Sequence, residues 1–233
     1  MKSLFLIFLF FQVQDYPTQK QVDPRLGAVL GDIESHIRET SHQMINWSDL
    51  VNWGHESTHL INSHLRSKFG KPTFYCLGGK CWVIERPYIT LRQIYSYVPI
   101  SMRTDRAQMY LVSQARDWNN EPLYCLDEWI AYTNGTAVKH DLKLWGRGGT
   151  TQFMFEFDIF AIALCQASQN DPKYDHTQLK AFVRWNIERS FKLYDDEAKD
   201  ILNKWRTNPD CENLREFARD YFGKGWCQKV MGI

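Results

Sequence analysis

Two histidines and a glutamate are spaced for metal chemistry in the stretch Trp53-Gly54-His55-Glu56-Ser57-Thr58-His59-Leu60-Ile61. His55 and His59 are four residues apart, so an α-helix stacks them one turn above each other on one face. Both imidazoles then reach a single ion, and zinc is the usual guest of two histidines and a carboxylate. Glu56 projects beside that face, where it takes a proton from water activated by the ion. The pattern is H-E-x-x-H, and its chemistry is metal-assisted hydrolysis with Glu56 as general base.

The flanking residues predict a helix that carries the pattern. Ser48 is placed to cap its start, with Asp49 just inside, where the helix dipole favours negative charge. Arg66 and Lys68 fall in the last turn, Gly70 stands at the C′ position and Pro72 blocks continuation. Leu50, Trp53, Leu60, Ile61 and Leu65 supply apolar anchoring. The result is a helix of about six turns with both ends accounted for.

A catalytic zinc takes three protein ligands and leaves one position open. His64 is five residues past His59 and points off the zinc face of a continuing helix. A glutamate on a second, facing helix is the remaining option. The stretch Asp127-Glu128-Trp129-Ile130-Ala131-Tyr132 is similar to the second motif of thermolysin-like enzymes, and to the glutamate helix of the anthrax lethal factor and Pro-Pro endopeptidase group. The chain therefore resembles a gluzincin-type zinc metallopeptidase, on two motifs covering about fifteen residues in all. Ser57 departs from that class, which places a large apolar residue after the motif glutamate. Tyr132 stands where the thermolysin group has an aspartate that orients a histidine, and Glu121 where the lethal-factor group has a tyrosine. The resemblance implies one catalytic Zn²⁺ held by His55, His59 and Glu128, with Glu56 as base. It leaves open which of Tyr124, Tyr95, Tyr97, Tyr132 or His140 stabilises the oxyanion. The plain alternative for Glu128 is a helix salt bridge, with His140, Asp141 and His64 next in line as third ligand.

The elements that must position these groups read as an α+β, mainly α-helical fold. The expectation is a zincin-like core with a small β-hairpin or sheet and a helical C-terminal part over about 151–233. Helical spacing predicts a first helix over Leu26 to Ile45, another over Arg103 to Trp118, and a glutamate helix from Leu123 that stops at Asn134-Gly135. Pro87 to Pro99 is aromatic and β-branched and is expected to be extended. Thr151 to Ala167 is almost wholly apolar and reads as a buried helix, followed by amphipathic pieces near 176–193, 195–206 and 211–222. Gly78-Gly79 signals a two-residue hairpin turn, which would place Cys76 opposite Cys81 and favour a disulfide between them. The pairing of the other four cysteines stays open: Cys211 and Cys227 lie near each other in sequence and could pair, which would leave Cys125 with Cys165.

Residues 1–14 have the form of a secretory signal peptide, Met1-Lys2-Ser3 followed by an apolar run from Leu4 to Phe11. A buried N-terminal strand or helix is the alternative. Residues 15–233 then make a single zincin-like catalytic domain, and no stretch is apolar enough to span a bilayer. A formal net charge of +1 excludes a nucleic-acid footprint or polybasic membrane patch. The sequence thus predicts a secreted, monomeric zinc metallopeptidase acting on a peptide or protein. A zinc hydrolase of a non-peptide substrate and a non-catalytic, disulfide-stapled binding module are the alternatives.

Overall fold

In the computed structural model, residues 13–15, 22–37, 45–145 and 149–233 are described. The fold is α+β and mainly helical. Its elements in chain order are β1 (Val13–Asp15), α1 (Gly27–His36), α2 (Leu50–Phe69), β2 (Thr73–Tyr75), β3 (Lys80–Val83) and α3 (Leu91–Tyr97). Then follow α4 (Asp105–Gln108), α5 (Ala115–Trp118), α6 (Tyr124–Asp141), α7 (Thr150–Ser168), α8 (Thr177–Lys192), α9 (Lys199–Thr207), α10 (Glu212–Phe222) and α11 (Lys224–Met231). The three strands form one antiparallel sheet in the order β1-β3-β2. Of the proposed leader, residues 1–12 lie outside the described residues, while Val13 and Gln14 pair with β3.

The apolar α7 runs through the centre of the larger core, where Phe155, Phe157 and Phe160 are almost fully buried. A smaller core of Leu26, Leu30, Ile61, Leu65, Tyr75 and Val138 fills the space between α1, α2, α6 and the hairpin. Between these two cores lies the crossing of α2 and α6. Neither helix carries a side chain at the closest points. A Cβ at Gly135 would stand 3.1 Å from the Val51 carbonyl oxygen, and one at Gly54 would stand 2.8 Å from the Val138 side chain. Gly135 therefore does not end its helix: α6 continues to Asp141, and the glycine buys close approach beside His55.

Polar side chains lock the hairpin to this pair. Asn62 on α2 accepts from the Tyr75 amide at 2.7 Å. Asn134 on α6 donates to Thr58 Oγ1 and the Tyr75 carbonyl, and accepts from Arg189 on α8 at 2.8 Å. All these groups except Arg189 are fully or nearly fully buried, so each bond satisfies an atom that water cannot reach.

Several expectations are corrected by local physics. Asp49, not Ser48, caps α2, accepting from the Asn52 amide at 3.1 Å. The left-handed Gly70 closes the helix as expected, with its amide on Arg66 O. Pro87 to Pro99 is not extended throughout, because Thr90 and Gln93 form a capping box that starts α3. The first helix ends at His36, with residues 38–44 outside the described residues. The span expected as one helix from Arg103 is α4 and α5 joined by a π-helical turn at Met109–Ser113.

The hairpin register overturns the Cys76–Cys81 disulfide. The loop takes three residues, Leu77, Gly78 and Gly79, all with positive φ, so the Cys76 amide bonds to Lys80 O and Cys81 pairs with Tyr75. A slip of one residue sends side chains to opposite faces. Cys76 accordingly joins the larger core and Cys81 the smaller one. None of the six cysteines is disulfide-bonded, and all are buried.

The close crossing yields a test. Gly135→Val places a branched side chain against the Val51 carbonyl, an overpacking expected to cost about 1–3 kcal/mol. Chemical denaturation is expected to show a lowered midpoint with unchanged slope. A variant as stable as the parent would mean that the helices have room to part.

Candidate metal centre

His55 and His59 leave α2 one turn apart, and Glu128 leaves the second turn of α6 to meet them. The Nε2 atoms of the histidines are 3.1 Å apart. Glu128 Oε2 stands 3.7 Å from His55 Nε2 and 3.6 Å from His59 Nε2. Three atoms bound at ~2.0–2.1 Å in tetrahedral geometry would lie about 3.3 Å from one another. The triangle therefore has the size of three corners of a metal-coordination tetrahedron. His55, His59 and Glu128 make a group able to hold a metal ion, and it is the one such group of three or more ligands among the described residues.

The orphaned atoms fit the same reading. Glu128 Oε2 is buried without a hydrogen-bond partner, although an unpaired buried acceptor costs about 1–3 kcal/mol. Its other oxygen, Oε1, accepts from the Tyr124 hydroxyl at 2.8 Å, which aims the bare oxygen at the two imidazoles. Burial and the neighbouring His59 charge hold His55 down to about 4, hence neutral. Burial also works against protonation of His59, but its hydrogen bond to Asp127 and the nearby charges of Asp127 and Glu128 outweigh that and raise it to about 10. A cation at the centre would take over the role of that proton, since metal ligation needs both imidazoles neutral.

Asp127 is the functional residue that sequence reasoning missed. Its Oδ2 accepts from His59 Nδ1–H at 2.8 Å, and its Oδ1 accepts from Asn62 at 2.7 Å. It thereby fixes the His59 ring with Nε2 facing inward, the arrangement by which carboxylates orient metal-bound histidines. The signal was present in sequence, because Asp127 is adjacent to Glu128 and Asn62 lies three residues after His59. The thermolysin pattern instead places its orienting aspartate four residues after the ligand glutamate, where this chain has Tyr132.

The remaining candidates divide cleanly. Glu56 is exposed and makes no part of the triangle, as suits a base that must meet water and substrate. Tyr132 packs its ring edge on His55 at 4.4 Å between centroids, and its hydroxyl lies 3.2 Å from that of Tyr110. Tyr95 is engaged by Arg103, Tyr97 by Asn170, and His140 by Trp145 and Asp195. Asp141 caps α1 by accepting from the Val29 amide. His64 is not a member of the metal-ligand group.

Two cavities flank the centre. One of about 350 Å³ opens beside His55 and Tyr132, between the first turns of α2 and α7. The other, of about 260 Å³, is walled in part by Tyr124 and Arg66, whose partners are Glu128 and Asp127.

No protein-family model, curated protein or solved structure matches this chain. No helix among the described residues is long and apolar enough to cross a membrane.

Asp127 gives the test of this geometry. Asp127→Asn keeps the shape but removes the anionic acceptor, and metal affinity is expected to fall by roughly 10–100-fold with the fold retained. Competition with a chelator of known affinity measures it. Parental affinity in the variant would show that His59 does not rely on Asp127.

Proposed function

We propose that the chain is a zinc metallopeptidase of the gluzincin type, hydrolysing peptide bonds. The observation that carries this reading is the 3.1–3.7 Å triangle of His55, His59 and Glu128, with an exposed glutamate immediately after the first histidine. Two nitrogens and one carboxylate oxygen are the donor set of catalytic zinc sites that keep an open position. Held by His55, His59 and Glu128, a zinc ion would supply Lewis-acid chemistry, polarising a carbonyl and acidifying water.

The chain's own residues then have distinct tasks. His55 and His59 offer Nε2, and Glu128 offers the oxygen left bare by Tyr124. Asp127 holds the His59 tautomer. Glu56 accepts a proton from the attacking water and returns it to the leaving amine, a transfer that contributes about 10²–10⁴-fold. Tyr132 lines the larger cavity beside His55, and the hydroxyl of Tyr110 steadies its own. It is the tyrosine placed to donate a hydrogen bond to the developing oxyanion, whereas Tyr124 is committed to Glu128.

Ligand and base are separable by substitution. Glu56→Gln is expected to keep zinc while losing peptide hydrolysis by roughly 10²-fold or more. Glu128→Gln is expected instead to weaken zinc binding, since a neutral amide replaces an anionic ligand. Equilibrium dialysis beside a peptide-cleavage assay distinguishes them. A wild-type protein that takes up no zinc would overturn the reading.

Tyr132→Phe is a further check on mechanism. It is expected to retain zinc and to lower kcat by about 10–10³-fold with little change in KM. An unchanged kcat would remove Tyr132 from the mechanism.

A further inference from the structure

The smaller cavity is built differently from the one beside His55. Its wall is formed by Pro72, Phe74, Trp118, Leu123 and Tyr124, so it is mainly apolar and aromatic. Trp118 ends α5 and stays half-exposed, although its indole is stacked on the Tyr124 ring at 5.6 Å and 11°. A half-exposed tryptophan held flat by a second ring is a surface prepared for contact.

Both arginines at the cavity are already engaged by carboxylates. The Arg66 guanidinium lies 3.7 Å from Asp127 Oδ1, and the Arg86 guanidinium pairs with Glu121 at 2.5 Å. Arg66 shares Asp127 with His59, and Arg86 has Glu121. Arg66 nevertheless remains half-exposed at the wall, where a guanidinium favours the face of a ring over an aliphatic chain.

Position ties the cavity to the metal centre. Tyr124 donates to Glu128, and the Asp127 that meets Arg66 also holds His59. The cavity wall is thus one hydrogen bond from the ligand set.

Resting on the metallopeptidase reading, we infer that the bowl bounded by Trp118, Tyr124 and Arg66 is a substrate subsite for an aromatic side chain. Trp118 and Tyr124 give ring contacts and Arg66 gives a cation over the ring. Phe74 and Leu123 form the apolar floor.

The test uses the full-length, zinc-loaded Glu56→Gln protein, so that binding is read without turnover. Blocked alanine-rich octapeptides carrying a central Phe, Leu, Lys or Ala are titrated by calorimetry. The Phe peptide is expected to bind about tenfold tighter than the Ala peptide, with Leu between them and Lys no better than Ala. Trp118→Ala in the same background is expected to bring Phe to the level of Ala, with zinc content unchanged. Trp118→Leu, which keeps apolar cover on Tyr124, is expected to retain the Leu preference and lose the Phe advantage.

A Phe advantage that survives both substitutions, or no Phe advantage at all, overturns the subsite. Cleavage by the wild-type protein is scored separately on the same peptides. Hydrolysis without aromatic preference would sink the subsite and leave the peptidase standing. Trp118-dependent Phe binding with no hydrolysis of any peptide would keep the subsite and sink the peptidase.

Discussion

The structure depends on how closely α2 and α6 can cross. A coordination triangle tolerates errors of a few tenths of an ångström, yet its corners come from helices whose ligands are separated by 69 residues of sequence (128 − 59). Backbone approach must therefore be set before any side chain is placed. Gly54 and Gly135 set it, because each has a neighbour where a Cβ would stand. Glycine inside a helix costs roughly 0.5–1 kcal/mol relative to alanine, so its use on both helices at one crossing is a local loss accepted for geometry. The buried amides of Asn62 and Asn134 then fix rotation about the crossing, since both bond to the same hairpin residue, Tyr75. Hairpin, motif helix and glutamate helix form one rigid unit, and the larger core supports it through Trp129, whose indole donates to Asp158 on α7.

How much of this was legible in the sequence follows from the range of each signal. The motif helix was legible because its evidence is local: histidine spacing, a terminal glycine, basic residues in the last turn. Only its cap was misplaced, by one residue, because serine and aspartate both cap well and stood side by side. Glu128 was legible through a second short motif, although nothing local says that two helices whose ligands lie 69 residues apart will meet. The hairpin was found but misregistered. Gly78-Gly79 fits a two-residue turn, yet Leu77 also adopts positive φ here, which is rare for a side chain of that kind. One residue of slip was enough to separate Cys76 from Cys81.

The misreading of α6 has a different cause. Asn134-Gly135 carries a strong turn signal when read along the chain. In the fold both residues are buried and both are answered by other elements, Asn134 by α2, the hairpin and α8, and Gly135 by the backbone of α2. Tertiary contacts override a local preference of about 1 kcal/mol without difficulty. The same contacts explain why Asp127 was missed: its role is visible only once His59 and Asn62 are brought against it.

The electrostatics of the centre close the argument. In a dry site, two imidazoles with Nε2 atoms 3.1 Å apart cannot both be protonated, and the buried oxygen beside them accepts no hydrogen bond. The protein divides the burden unequally, keeping His55 neutral and His59 charged through Asp127. A core selected only for stability would exchange such a cluster for apolar side chains, which is often neutral or favourable by 1–4 kcal/mol. Here the cluster is instead braced by Tyr124, Asp127, Asn62 and the two glycines, all of which hold it together without neutralising it. An inward-facing, unsatisfied carboxylate beside two imidazoles is a group able to hold a cation. Glu56, one residue past His55, stays exposed and outside that group.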